Sequence, residues 1–99
     1  MPEDKNLVRR VIVEGFVQGV GYRDFVRRVA LRLGVSGWVR NRADGSVEAL
    51  IEGAPADVET MLGEMRRGPR GAMVTRLWLA EATAGDGGRD GAFIIRPTV

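Results

Sequence analysis

Gly15-Phe16-Val17-Gln18-Gly19-Val20-Gly21-Tyr22-Arg23 is the stretch on which the reading of this chain turns. A β-branched apolar run precedes it and a strongly periodic segment follows, so the chain passes from strand through a glycine-bearing loop into a helix. The first N–H groups of a helix lack intrahelical partners, and the helix dipole places partial positive charge there. Such a junction is a ready anion site. Glycines at 15, 19 and 21 admit φ > 0, which lets several N–H groups turn toward one point. Arg23 breaks the local rule, because a cation in the first helical turn opposes the dipole at a cost of up to ~1 kcal/mol. Local rules are most often broken at functional sites. Arg23 therefore reads as folding back over the loop to hold a phosphate. The loop and arginine alone are also compatible with a plain turn beside an exposed arginine.

Upstream, Val8 to Val17 reads as the first strand, and its continuous Val11-Ile12-Val13 suggests an interior position in a sheet. Downstream, Tyr22, Phe25, Val26, Val29, Ala30 and Leu33 recur at helical spacing and form one apolar stripe, with Arg28 and Arg32 on the solvent side. Gly34 closes this helix. Val35 to Asn41 reads as a second strand, with Val35, Gly37, Val39 and Asn41 on one face. Ala43-Asp44-Gly45 signals a hairpin turn, and Val47 to Glu52 returns as a third strand. There Val47, Ala49 and Ile51 oppose Glu48, Leu50 and Glu52. Pro55 suits a helix start, Val58, Met61, Leu62 and Met65 give a second apolar stripe, and Gly68-Pro69 ends it. Met73 to Glu81 is a fourth strand, with Leu77 and Leu79 facing away from Val74, Arg76, Trp78 and Ala80. Thr83 to Gly91 reads as a mobile surface loop. A short last strand, Phe93 to Arg96, is followed by Pro97, which favours a sheet edge.

The order is β-α-β-β-α-β with an extra strand. Two helices on one face of an antiparallel sheet give an α+β, ferredoxin-like βαββαβ sandwich with a short additional C-terminal strand. Residues 1–6 are expected to be flexible, and residues 7–99 to form a single domain.

Composition removes many mechanisms. The 99 residues include no cysteine and no histidine, which excludes disulfides, thiol chemistry, the usual general base and the commonest metal ligand. Catalysis would have to use arginine, amides, carboxylates, hydroxyls or backbone, with no metal and no cofactor. The first residues lack the apolar core of a signal peptide, and no run approaches a membrane span, so a cytoplasmic protein with no membrane partner is expected. Fourteen of the fifteen basic residues are arginine, which suits bidentate phosphate contacts, although base composition of a genome would produce the same bias. Net charge is only +2, with acids interspersed among the bases, so nucleic acid is not indicated by charge.

Asn41 is the second residue of interest. Asparagine before Asp44-Gly45 is ordinary turn chemistry. Yet Asn41 shares parity with Val39, so if Val39 is core, Asn41 points to the helix side near the sheet end, where the loop before Arg23 also lies.

Val17-Gln18-Gly19-Val20-Gly21-Tyr22-Arg23 resembles the signature of the acylphosphatase family, and Gly37-Trp38-Val39-Arg40-Asn41-Arg42-Ala43-Asp44-Gly45-Ser46-Val47-Glu48 resembles its second block. Glu52-Gly53, Gly68-Pro69 and Phe93-Ile94-Ile95-Arg96 follow in the family's order. The match runs from about Val11 to Arg96. The resemblance implies the same fold and a metal-independent hydrolase of acid anhydrides, which cleaves small acyl phosphates into carboxylate and inorganic phosphate. It further implies that Arg23 binds the phosphate and that Asn41 orients the attacking water. The donors that phosphoryl transfer needs around the equatorial oxygens are then expected from the Arg23 fork and a cradle of backbone N–H groups of Phe16, Val17, Gln18, Gly19, Val20 and Gly21. A monomer is expected. Arg42 departs from the pattern, since some relatives carry a small hydroxyl residue there. The alternative is a non-catalytic nucleic-acid- or ligand-binding module on the same fold. Against it, the third strand has no aromatic residue for base stacking, and Glu48 and Glu52 would repel a phosphate backbone. A domain acting on carbamoyl phosphate within a larger assembly is a further reading, disfavoured by the chain length.

Overall fold

The computed structural model describes residues 6–82 and 92–99. The expectations for the first five residues and for a loop over 83–91 lie outside these. Seven elements follow in order: β1 (Leu7–Phe16), α1 (Tyr22–Leu33), β2 (Ser36–Asn41), β3 (Val47–Gly53), α2 (Pro55–Arg67), β4 (Met73–Ala80) and β5 (Phe93–Ile95). The sheet order is β4-β1-β3-β2-β5. No helix among the described residues is long and apolar enough to cross a membrane.

The apolar alternation of the strands and the stripes of the helices meet in one core. Val11 and Val13 of β1, Val39 of β2, and Val47, Ala49 and Ile51 of β3 pack with Tyr22, Val26, Val29 and Ala30 of α1 and Val58, Met61, Leu62 and Met65 of α2. The i, i+3, i+4 spacing of the helical residues is what aims them at this single face. At the end of α1, Gly34 takes φ 75°, and the Val35 N–H turns back onto the Ala30 carbonyl at 2.9 Å. That reversal lets β2 begin beside the helix it has just left.

The register of β4 differs from simple alternation. Val13 pairs with Leu77 and Glu14 with Arg76, but Gly15 pairs with Val74, so Thr75 is bulged out. A bulge moves the following side chains to the other face. Val74 therefore joins Leu77 against the core, which corrects the strict alternation expected over 73–81. Leu77 and Leu79 still share a face, opposite Val13 and Val11, with Leu79 exposed on this edge strand.

The sheet is mixed rather than wholly antiparallel. The β1–β3, β1–β4 and β2–β3 pairs are antiparallel, but β5 runs parallel to β2. A tight hairpin forces antiparallel pairing; β4 and β5 lie on opposite edges of the sheet, so no hairpin constrains β5. Its edge position agrees with the expectation from Pro97.

Candidate functional site

The end of β1, the loop behind it and the first turn of α1 meet the end of β2 at one point. Gly15 sits opposite the bulge with φ 131°, and a Cβ there would stand 2.1 Å from the Met73 carbonyl oxygen. The bulge thus requires glycine and bends the chain out of the sheet. Gly19 and Gly21 both take left-handed φ, 77° and 78°, as the opening stretch predicted. Gly21 is the N-cap of α1, with no side-chain cap, so the helix start is left to other acceptors.

Two buried anchors hold the loop. Val17 and Tyr22 are each 1% exposed, and the Tyr22 hydroxyl donates to the Met65 carbonyl at 2.8 Å. Burial pushes the phenol pKa well above its ordinary value, so Tyr22 is a neutral strut rather than a proton donor for chemistry.

Between loop and strand lies a cleft of about 180 Å³ lined by Val17, Gly19, Gly21, Tyr22, Arg23, Asp24, Asn41 and Ile95. Arg23 and Asn41 are therefore in one cleft, as are three of the six cradle residues, Val17, Gly19 and Gly21. Phe16, Gln18 and Val20 do not line it. Phe16 is 62% exposed at the strand end, Val20 packs against the core, and Gln18 turns toward the β2–β3 hairpin. Arg23 has no ion-pair partner among the described residues; its neighbour Asp24 bonds Arg28 instead, at 3.1 Å. The Asn41 Oδ1 is buried without a hydrogen-bond partner. An unsatisfied buried acceptor costs about 1–3 kcal/mol, which folding tolerates where the atom has a task.

Sequence reasoning missed Ile95, and for Gln18, expected to act through its backbone N–H, it missed the part played by the side chain. Ile95, on the parallel edge strand, closes the cleft on one side; only the strand pairing, Val39 to Ile95, reveals it. The Gln18 amide donates to both the Arg42 and Ser46 carbonyls at 2.8 Å, a role no spacing rule exposes. The chain end also contributes. Val99 N–H donates to the Asn41 carbonyl at 3.1 Å and Ala43 N–H to the Val99 carbonyl at 2.7 Å, fixing the Asn41 backbone from outside.

On the opposite face of the sheet a larger cleft of about 370 Å³ is lined by Arg10, Arg40, Arg42, Ala43, Asp44, Glu48 and Val99. Its cations are largely committed. Arg10 and Arg40 donate to the two oxygens of Glu48 at 2.6 and 2.9 Å, and Arg42 lies 3.9 Å from Asp44. Trp38 is 5% exposed with Arg40 and Arg96 over its ring, 4.6 and 4.8 Å from the centroid. Trp38 is thus a packing residue and offers no open ring for a base, while Trp78 is half-buried, donates its Nε1–H to Glu14 at 3.3 Å and has Arg76 5.5 Å from its ring centroid. One argument against nucleic acid needs correcting, however: Glu48 is buried and matched by two arginines, so it presents no bare negative charge. Among the described residues no group of three or more acidic residues could hold a metal ion.

A family model described as acylphosphatase matches residues 9–91. An acylphosphatase of Rhizobium etli is 57% identical over 72 residues, covering 73% of this chain and 77% of that protein. Among solved structures, an acylphosphatase from Bacillus subtilis superposes with a TM-score of 0.79 at 34% identity, covering 90% of this chain and 97% of the other. One from Coxiella burnetii gives 0.83 at 29% identity, covering 93% and 94%. Motif order, fold and whole-domain similarity converge, and the chain belongs to the acylphosphatase family.

Proposed function

We propose that the cleft holding Arg23 and Asn41 is where this acylphosphatase hydrolyses its substrate, a small acyl phosphate, without metal or cofactor. The observation that carries the reading is the pairing of an unpartnered buried Asn41 Oδ1 with an uncommitted Arg23 in one small cleft. The Arg23 fork and the N–H groups at the start of α1 bind the phosphoryl oxygens, where charge is greatest. Asn41 accepts a hydrogen bond from water and holds it in line with the bond to be broken. Water oxygen attacks phosphorus, the P–O bond to the acyl group breaks, and the carboxylate leaves with the electron pair. The carboxylate is a weak base and needs no acid, and a phosphoryl oxygen takes the proton of the water. Such transfer depends on positioning and charge stabilisation, which this site supplies without histidine. The same reading makes the protein a hydrolase acting on an acid anhydride. It acts as a monomer in the cytoplasm, with one chain carrying both residues and no cysteine needing an oxidising compartment.

Hydrolysis of benzoyl or acetyl phosphate in ¹⁸O water with EDTA present tests the reading. Undiminished turnover with label in the inorganic phosphate is expected. Label in the carboxylate, or loss of activity on chelation with recovery on adding Mg²⁺, would overturn it.

A further inference from the structure

We propose that Gln18 is a positioning residue that sets Asn41 against Arg23 through its side chain; the inference rests on the function proposed above. The cleft has two walls that belong to distant parts of the chain. One wall, residues 17–23, is anchored into the core by Val17 and Tyr22 on either side of the loop. The other wall is the end of β2, where Asn41 begins the turn into β3. That turn is held internally. Arg42 N–H donates to the Ser46 carbonyl at 2.9 Å, and Asp44 Oδ1 accepts from the Ser46 N–H and hydroxyl at 3.0 and 2.6 Å.

With Val99 bridging the Asn41 carbonyl and the Ala43 N–H, each wall therefore keeps its shape without Gln18. The sheet sets their coarse spacing, since Val13 of β1 and Asn41 of β2 both pair with Val47 of β3, and what remains is the seating of the loop on the turn. Among the described residues, the side-chain hydrogen bonds that join loop 17–21 to this turn both come from the Gln18 amide, to Arg42 and Ser46. These two carbonyls flank the turn, and Arg42 directly follows Asn41. Both N–H bonds of one planar amide are used at 2.8 Å, so distance and orientation are set together. Gln18 does not line the cleft and touches no reacting atom in this arrangement. Its effect on turnover passes through Asn41. Misplacement by an ångström costs about 10²-fold in rate where catalysis is positional.

Gln18→Met keeps the side-chain length and removes both donors. Turnover of benzoyl phosphate should fall about 10²-fold, while the affinity for inorganic phosphate, read by calorimetry, stays within about twofold. In an Asn41→Ala background the same substitution should cost nothing further, whereas in an Arg23→Gln background its full effect should persist. A residue that merely stabilised the fold would act alike in both. Gln18→Lys, whose ammonium can donate to both carbonyls, should recover much of kcat and serves also if the methionine variant does not fold. Undiminished kcat in Gln18→Met, no recovery in Gln18→Lys, or a full additive loss on top of Asn41→Ala would each overturn the proposal. If instead Asn41→Ala alone retains full turnover, the assignment of the site itself has failed.

Discussion

Asn41 and Arg23 share a cleft but are expected to fail differently when replaced. Arg23 would grip the phosphoryl group in ground and transition states alike, so Arg23→Gln should weaken both phosphate binding and turnover. Binding is readable in a thermal melt, since a ligand at ~100 times its Kd stabilises by ~2.7 kcal/mol. Asn41 would act on the water, so Asn41→Ala should lower kcat by about 10²–10³-fold with phosphate binding retained. Its Oδ1 has no partner, so the fold gains nothing from it. The alanine protein should melt no lower than the wild type, because an unsatisfied buried acceptor has been removed. An Asn41→Ala chain that loses stability together with activity would show that the side chain is a structural part of β2. Both residues were legible in the sequence as types at motif positions. The free acceptor was not, because satisfaction depends on every segment that packs around the atom.

At the scale of elements, the bulge between β1 and β4 launches the loop. Gly15→Ala would meet the Met73 carbonyl at 2.1 Å in a left-handed conformation, so the strand end must shift. Backbone strain alone accounts for about 1–3 kcal/mol, or roughly 4–8 °C of melting temperature per kcal/mol for a domain of this size. Gly19→Ala is the control: its φ of 77° is also positive, but nothing lies within 4 Å of the added carbon. Gly15→Ala should therefore lower Tm distinctly more than Gly19→Ala; equal losses would mean that the bulge relaxes freely. The elements themselves were readable from periodicity, with β1 displaced by a single residue from 8–17 to 7–16. The bulge was not, since one extra residue in β4 leaves no mark on apolar spacing until a partner strand is aligned with it.

The whole molecule carries an ion cluster on the face of the sheet away from the helices. Arg10 of β1 and Arg40 of β2 close on Glu48 of the strand between them. Burial alone would raise the Glu48 pKa, but hydrogen bonds from Arg10 and Arg40 outweigh it and hold the carboxyl below its ordinary 4.5. A depressed folded pKa means that the unfolded chain takes up the proton first. The stabilisation is therefore complete above about pH 4.5 and is lost as pH falls through the folded value. Glu48→Gln should cost about 1–3 kcal/mol at pH 7. The difference from wild type, followed by urea melts, should shrink steadily below pH 4.5. A difference independent of pH down to strongly acid solution would mean that the charge on Glu48 contributes nothing to the fold.

The elements, their order and the faces of the helices are legible in the residues alone, because helical and strand periodicity are local properties of neighbouring residues. The family is legible there too, since Val17 to Arg23 and Gly37 to Glu48 are contiguous motifs. Tertiary structure alone decided the rest. The parallel seating of β5 brings Ile95 to the cleft, the Gln18 amide reaches carbonyls 24 and 28 residues away, and Glu48 finds arginines on two flanking strands. Each depends on where distant segments lie once the core has packed, and no local pattern encodes that distance.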